Sequence, residues 1–177
     1  MLGSSIAVLL LFLGSIHAAC TPPNGTDTKF NWWQCTPNDP IKYYNLSLQD
    51  SSGKDIYPIR LQQPFVVNAL INNTDGPLNN LTTSVKLWQW VQQGSDCVWR
   101  EVPTLGALNN LIKCGQGIKC PVESGRQNLE ITVDLRPLSF AAVLLPASAP
   151  YKIEYQIREG SAAQASCLTL ETLVNTR

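Results

Sequence analysis

Alternation of apolar and polar residues is the dominant pattern along this chain. Residues spaced for one face of a helix are scarce, whereas three segments carry an apolar residue at every second position. Because successive side chains of a strand point to opposite faces, each segment is predicted to be a half-buried β-strand. The alternating positions are Phe65, Val67, Ala69 and Ile71; Leu129, Ile131, Val133 and Leu135; and Tyr151, Ile153, Tyr155 and Ile157.

Weaker strand patterns fill much of the remaining chain, and clusters of Gly, Pro, Asn, Asp and Ser separate them. Roughly seven to nine short strands at this spacing predict an all-β, immunoglobulin-like sandwich of two sheets. No repeat or linker divides the chain, so residues 20–177 are predicted to form a single domain. The weaker strands are predicted at Phe30–Cys35, Ile41–Gln49, Ile56–Leu61, Thr83–Val91, Cys97–Val102 and Ser166–Val174.

Two apolar features leave alternatives open. The run Leu138–Leu145 does not alternate and is bounded by prolines. It is either a short buried element or an apolar lip at the mouth of a cavity, where it would meet a ligand or a membrane. Trp88 and Trp90 share one face of a predicted strand. They are part of a cavity wall, of the core or of the sandwich surface, and the sequence leaves these alternatives open. Alternation alone does not distinguish a filled core from a cavity.

Residues 1–19 are predicted to be a cleaved signal peptide. They contain no charged side chain, and the apolar run Ile6–Leu13 is followed by small residues. That run is much shorter than the roughly 20 apolar residues that a membrane-spanning helix needs. Cleavage is expected after Ala18 or Ala19; acylation of Cys20 as a lipoprotein is disfavoured, because the segment lacks Lys and Arg.

Composition excludes several classes of function. The 13 basic residues balance the 13 acidic ones, so nothing attracts nucleic acid or anionic membranes strongly. The single histidine, His17, lies in the predicted signal peptide. A mature chain without imidazole lacks the usual general base and zinc ligand, and no nucleotide-binding motif appears. We therefore expect no enzyme, no cofactor and no metal site.

Six cysteines and four glycosylation sequons fit an oxidising, secretory environment. An even number of cysteines after a signal peptide indicates disulfides, although spacing alone leaves their pairing open. The sequons are clustered in the amino-terminal half, which is predicted to be exposed and glycosylated. The cysteines are Cys20, Cys35, Cys97, Cys114, Cys120 and Cys167, and the sequon asparagines are Asn24, Asn45, Asn72 and Asn80.

Three motifs in order resemble the ML (lipid-recognition) domain family. The segment 113–125, KCGQGIKCPVESG, resembles the C-x5-C-P signature that the family's sterol carriers also carry. The segment 30–35, FNWWQC, resembles the opening strand of the ganglioside activator, the family member most similar to this chain. Tyr151–Glu154 and Cys167–Leu170 resemble that protein's last hairpin. The resemblance covers about residues 30 to 174 and implies a sandwich whose sheets separate around a lipid.

The resemblance also implies a disulfide pattern. It pairs Cys35 with Cys167 and Cys114 with Cys120. The family's other bridges have no counterpart here. Cys20 and Cys97 are left over, and a bond between them is the remaining candidate.

The function implied by the resemblance is lipid binding without catalysis. The expected protein is a secreted or lysosomal monomer that holds a glycolipid or phospholipid, contacts membranes transiently and presents the lipid to a hydrolase or receptor. A sterol carrier of the same fold is the first alternative, and a glycosylated adhesion or receptor-binding module without a cavity is the second. The candidate lipid-binding residues are Phe65, Val67, Ala69, Trp88, Trp90, Leu129, Ile131, Val133, Phe140, Val143, Leu144, Tyr151, Ile153 and Tyr155.

Overall fold

The computed structural model describes residues 20–138, 145–160 and 164–176. Eleven strands and two short 3-10 helices, Pro23–Gly25 and Arg136–Leu138, make up the regular structure of these residues. The strands are β1 Asn31–Gln34, β2 Ile41–Gln49, β3 Ile59–Arg60, β4 Phe65–Asn73, β5 Leu81–Gln93, β6 Asp96–Glu101, β7 Lys113–Cys114, β8 Gly117–Ile118, β9 Gly125–Val133, β10 Ser148–Glu159 and β11 Gln164–Asn175.

The strands form two sheets that pack face to face. Sheet A has the order β1-β11-β10-β5-β6, and the short β3 runs parallel to β11 at its end. Sheet B has the order β2-β4-β9-β8-β7. A hydrogen bond of 2.7 Å between the Tyr43 hydroxyl on β2 and the Ser166 hydroxyl on β11 crosses the space between the sheets. This arrangement confirms the predicted all-β, two-sheet sandwich.

The alternating sequence patterns form the central strands. In β4, Phe65, Val67, Ala69 and Ile71 are all buried, while the residues between them are half-buried. β4 pairs with β9 so that Ala69 lies opposite Leu129. One face of sheet B thereby carries the apolar set and becomes its inner face, because a strand exposes alternate side chains to the same side.

Two predictions about strands are corrected. The predicted strand Ile56–Leu61 shortens to the two residues of β3, because Pro58 has no amide hydrogen to donate to a neighbouring strand. The pattern did not predict β7 and β8, which lie in the Cys114–Cys120 loop. Within that loop Gly117 has φ +86°, and a Cβ there would lie 2.6 Å from the Thr132 carbonyl oxygen. Only glycine allows β8 to approach β9 this closely.

The amino-terminal segment, residues 20–30, crosses the outer face of sheet A and is called here the strap. Disulfides join Cys20 to Cys97 and Cys35 to Cys167 on this face, so the strap and β1 are held to β6 and β11. The Trp90 indole donates to the Thr21 carbonyl, and the Tyr57 hydroxyl donates to the Thr26 carbonyl. Since the strap covers β11, nearly every residue of that strand is buried on both faces.

Candidate functional site

Seven of the predicted lipid-binding residues lie on the two inner faces and are buried. They come from β4 and β9 of sheet B and from β10 of sheet A. Together with neighbouring aliphatic residues they form one continuous apolar interior. The seven are Phe65, Val67, Ala69, Leu129, Ile131, Tyr151 and Tyr155.

The interior is less tightly closed along one part of sheet A. Ile153 lies on the inner face of β10, a strand flanked on both sides by β11 and β5. A central inner-face residue of a close-packed sandwich is normally inaccessible to solvent. Ile153 is nevertheless half-buried, whereas Ile157 on the same face of the same strand is 0% exposed. The sheets therefore leave accessible space beside Ile153.

Three further half-buried apolar residues lie on the inner faces of the two sheets. Val85 and Leu87 lie on β5 directly opposite Tyr155 and Ile153, and Val133 lies opposite Phe65 at the end of β9. All pack against the core without being enclosed by it. We call Val85, Leu87, Val133 and Ile153 the half-buried inner set. Val133 and Ile153 were predicted from alternation, whereas Val85 and Leu87 were missed.

The missed residues follow from a wrong choice of strand face. Of the alternatives left open for Trp88 and Trp90, the structure favours the sandwich surface: both lie on the outer face of sheet A, so their choice as candidate lipid-binding residues is corrected. The Lys152 ammonium lies 4.7 Å from the centroid of the Trp88 ring, and the Trp90 ring packs on Trp99. Lys86 shares the tryptophan face of β5, and an unpaired ammonium would not be stable between two apolar sheets. That lysine was the sequence signal for the correct face.

Three other predicted residues, Phe140, Val143 and Leu144, lie outside the described residues. The same holds for most of the proposed lip Leu138–Leu145. At its two ends, Leu138 closes the 3-10 helix Arg136–Leu138, and Leu145 is half-buried against the core. The lip remains a prediction.

Three tyrosine hydroxyls lie in the interior, and they are bonded differently. Tyr43 pairs with Ser166, whereas the hydroxyls of Tyr151 and Tyr155 have no hydrogen-bond partner among residues 20–138, 145–160 and 164–176. Tyr151 is 1% exposed and Tyr155 is 9% exposed. Leaving a buried hydroxyl without a partner costs about 1–3 kcal/mol. Burial raises the pKa of Tyr151 to about 12 and also raises the pKa of Tyr155, so both stay protonated near neutral pH.

The outer face of sheet A also buries polar groups, but it gives them partners. Glu171 on β11 is 4% exposed and accepts a hydrogen bond of 2.6 Å from the Asn24 amide of the strap. Lys86 and Glu154 form an ion pair at 3.5 Å on the neighbouring strands. The Asn24–Glu171 contact fixes the strap to the sheet, and the ion pair joins β5 to β10.

The sequon asparagines differ in accessibility. Asn24, Asn45 and Asn80 are exposed, which suits a glycan, whereas Asn72 is half-buried. The Asn24 side chain is already committed to Glu171. Glycosylation at all four positions remains a prediction.

Two of the three disulfides are those that the resemblance implied, Cys35 to Cys167 and Cys114 to Cys120, and the third joins the leftover pair, Cys20 and Cys97. Glu154 lies near the sulfurs of Cys35 and Cys167, with the three potential ligand atoms within 4.8 Å of one another. The two cysteine sulfurs are bonded to each other and offer no thiolate, so this group does not suit a metal ion.

None of the helices in the described part of the chain is long and apolar enough to cross a membrane.

A separate surface depression of about 380 Å³ lies beside the end of β3, and no member of the half-buried inner set lines it. Its lining residues are all polar: Arg60, Gln62, Gln63 and Asn175. This lining does not suit an apolar ligand.

Comparisons with known proteins give fold-level likenesses only. No protein-family model and no curated protein matches this sequence. A crystal structure of a Niemann-Pick type C2 protein from Japanese carpenter ant is 12% identical, with a TM-score of 0.45 over 82% of this chain and 99% of that chain. The structure of chicken MD-1 complexed with lipid IVa is 12% identical, with a TM-score of 0.36 over 83% of this chain and 99% of that chain. At these values neither likeness assigns this chain to a family.

Proposed function

We propose that this protein is a non-enzymatic lipid-binding protein that holds an apolar chain between its two sheets. The observation that carries the proposal is the half-buried state of Ile153 on the inner face of a central strand. Apolar side chains accessible at that position are an incomplete core, and an inserted ligand would complete it. The ML-like motifs in the sequence support the same reading.

The energetics favour a long hydrocarbon chain. Each methylene group that leaves water stabilises the complex by about 0.8 kcal/mol, so a chain of modest length offsets the cost of association. The half-buried inner set consists of valine, leucine and isoleucine, which match hydrocarbon and offer no hydrogen bonds. The inner faces therefore favour the tail of a lipid.

The finer assignment follows the resemblance. We propose that residues 1–19 direct secretion, that residues 20–177 form one ML-type domain, and that the protein works outside the cell or in the lysosomal lumen as a monomer. The three disulfides, which persist in oxidising compartments, support secretion. The ligand would be a glycolipid or phospholipid taken up during transient membrane contact and presented to a hydrolase or receptor. A sterol is the alternative ligand.

A matched pair of substitutions on β10 tests whether the space beside Ile153 binds lipid. Ile153→Phe should fill the space, abolish binding of a fluorescent long-chain phospholipid, and change stability little. Ile157→Phe enlarges a fully buried side chain on the same face, so it should cost about 1–3 kcal/mol through overpacking. Lipid binding is measured by transfer from labelled vesicles, and stability by denaturant unfolding.

The opposite result for Ile153→Phe would contradict the proposal. A large loss of stability with lipid binding retained would mean that Ile153 belongs to a filled core. That result would favour the alternative function, a glycosylated adhesion or receptor-binding module without a cavity. Organic extraction of protein purified from secreting cells, followed by mass spectrometry, identifies the natural ligand directly.

A further inference from the structure

Two unpartnered hydroxyls lie on either side of the proposed ligand space. Tyr151 and Tyr155 occupy the same inner face of β10 as Ile153, two positions before it and two positions after it. Strand geometry places the Cα atoms of the two tyrosines roughly 13 Å apart, with Ile153 midway. Packed sheets lie about 10 Å apart, and a tyrosine side chain reaches well into such a gap. The accessible space beside Ile153 is therefore flanked by two donors.

The nearby side chains do not satisfy these donors. Thr83 on β5 is the polar side chain beside Tyr155. Its hydroxyl donates to the Ile112 carbonyl at 2.9 Å and keeps lone pairs that can accept, but the Tyr155 hydroxyl does not reach it in hydrogen-bond geometry. Tyr43, in the same interior, shows that the fold supplies a partner where a hydroxyl has only a structural role. Phenylalanine would fill the same volume at positions 151 and 155 without an unbonded polar atom.

We propose that Tyr151 and Tyr155 donate hydrogen bonds to oxygen atoms of the bound lipid, so that the ligand carries an uncharged acceptor between the sheets rather than only at the rim. This inference rests on the proposed function and narrows its ligand class. The acceptor is a hydroxyl, ester, ketone or amide oxygen on the part of the lipid that enters the sandwich.

The charge of the acceptor follows from the surroundings. The half-buried inner set is aliphatic, and the charged side chains of β5 and β10 nearest to it, Lys86, Lys152 and Glu154, belong to the outer face. A carboxylate drawn between the sheets would lose its hydration without gaining a cation. A neutral oxygen makes the hydrogen bond without that penalty.

Selectivity between two probes of equal chain length tests the proposal. Protein is equilibrated with decan-1-ol or decane vapour, and bound probe is measured by gas chromatography. Replacing either tyrosine by phenylalanine should lower the alcohol-to-alkane affinity ratio by about 2- to 10-fold, the value of one neutral hydrogen bond. Alkane binding should stay unchanged.

Tyr43→Phe is the matched control, because it removes an interior hydroxyl that already has a partner. It should leave the ratio unchanged and lower the unfolding midpoint, whereas Tyr151→Phe and Tyr155→Phe should leave the midpoint of the lipid-free protein unchanged or raise it. An unchanged ratio in both variants overturns the inference while the lipid-binding function stands. Failure of the wild-type protein to bind either probe overturns the function and the inference together.

Discussion

The two faces of sheet A bury polar groups in opposite ways. On the outer face, beneath the strap, Glu171 has the Asn24 amide, and the Lys152 ammonium lies between the rings of Trp88 and Trp99, 4.7 and 5.4 Å from their centroids. On the inner face, Tyr151 has no partner among the described residues, although it is one of the most deeply buried side chains there.

The difference lies in what the buried polar groups do for the folded protein. A buried polar group with a built-in partner stabilises the chain in one arrangement, and the outer face does this for the strap. A buried polar group without one destabilises the protein until something else supplies the partner. The outer face thus satisfies its own buried polar groups, whereas the inner face keeps two tyrosine hydroxyls without partners among the described residues, which the proposed lipid ligand would supply. Three predictions test this contrast, beyond the substitutions described above.

The largest effect is expected from the Cys35–Cys167 disulfide on the outer face. Replacing Cys35 and Cys167 by alanine opens a loop with a sequence separation of 132 and should lower the free energy of unfolding by about 3–5 kcal/mol. Replacing Cys114 and Cys120, with a separation of 6, should cost roughly 2 kcal/mol because a short loop loses less chain entropy. Guanidinium unfolding of both variants measures the difference, and equal losses would contradict the entropic account. Peptide mapping without reduction checks the pairing.

The next effect concerns the contact between the strap and Glu171. Asn24→Asp replaces the donor by a second carboxylate and should cost about 2–3 kcal/mol at pH 7, since a buried charge loses its hydrogen bond. Asn45→Asp also removes a sequon but alters an exposed side chain without a hydrogen bond among the described residues, so it should leave stability unchanged. Unfolding is measured on protein produced without glycans, and equal effects of the two substitutions would show that the strap contact contributes nothing.

The smallest effect, taken for one tyrosine and one pH unit, is a dependence of stability on alkaline pH that arises from the inner face. Burial raises the pKa of Tyr43 and of Tyr151 to about 12, from 10.0. Between pH 10 and 12 the unfolded chain releases these protons while the folded protein keeps them. Stability should therefore be constant below pH 10 from this cause and then fall by about 1.4 kcal/mol per pH unit for each buried tyrosine. Tyr151→Phe should make the loss of stability above pH 10 less steep. Absorbance at 295 nm should show that the buried tyrosines of the folded protein ionise later than exposed ones. Ionisation of all tyrosines near pH 10 in the folded protein would contradict the prediction.

Much of the fold was predictable because strand formation depends on local alternation. β2 has the predicted bounds, Ile41–Gln49, and the buried face of β4 is the predicted one. The candidate site was only partly predictable, since Trp88 and Trp90 are as apolar as Val85 and Leu87. Lys86 was the local signal that the tryptophan face of β5 lies outside, and the contact of the Trp88 ring with the Lys152 ammonium establishes it in the structure.

The sequence by itself therefore determined the strands, the two-sheet class and the apolar character of the inner faces, since these follow from side chains that alternate along a local segment. Tertiary structure decided which apolar residues are enclosed and which stay accessible, because that depends on how far apart two sheets lie at a given point. It also decided that Glu171 has a partner from the strap, 147 residues away in sequence, while Tyr151 and Tyr155 have none among the described residues. Hydrogen bonding between residues this distant is set by the packing of the whole chain, which no local pattern encodes.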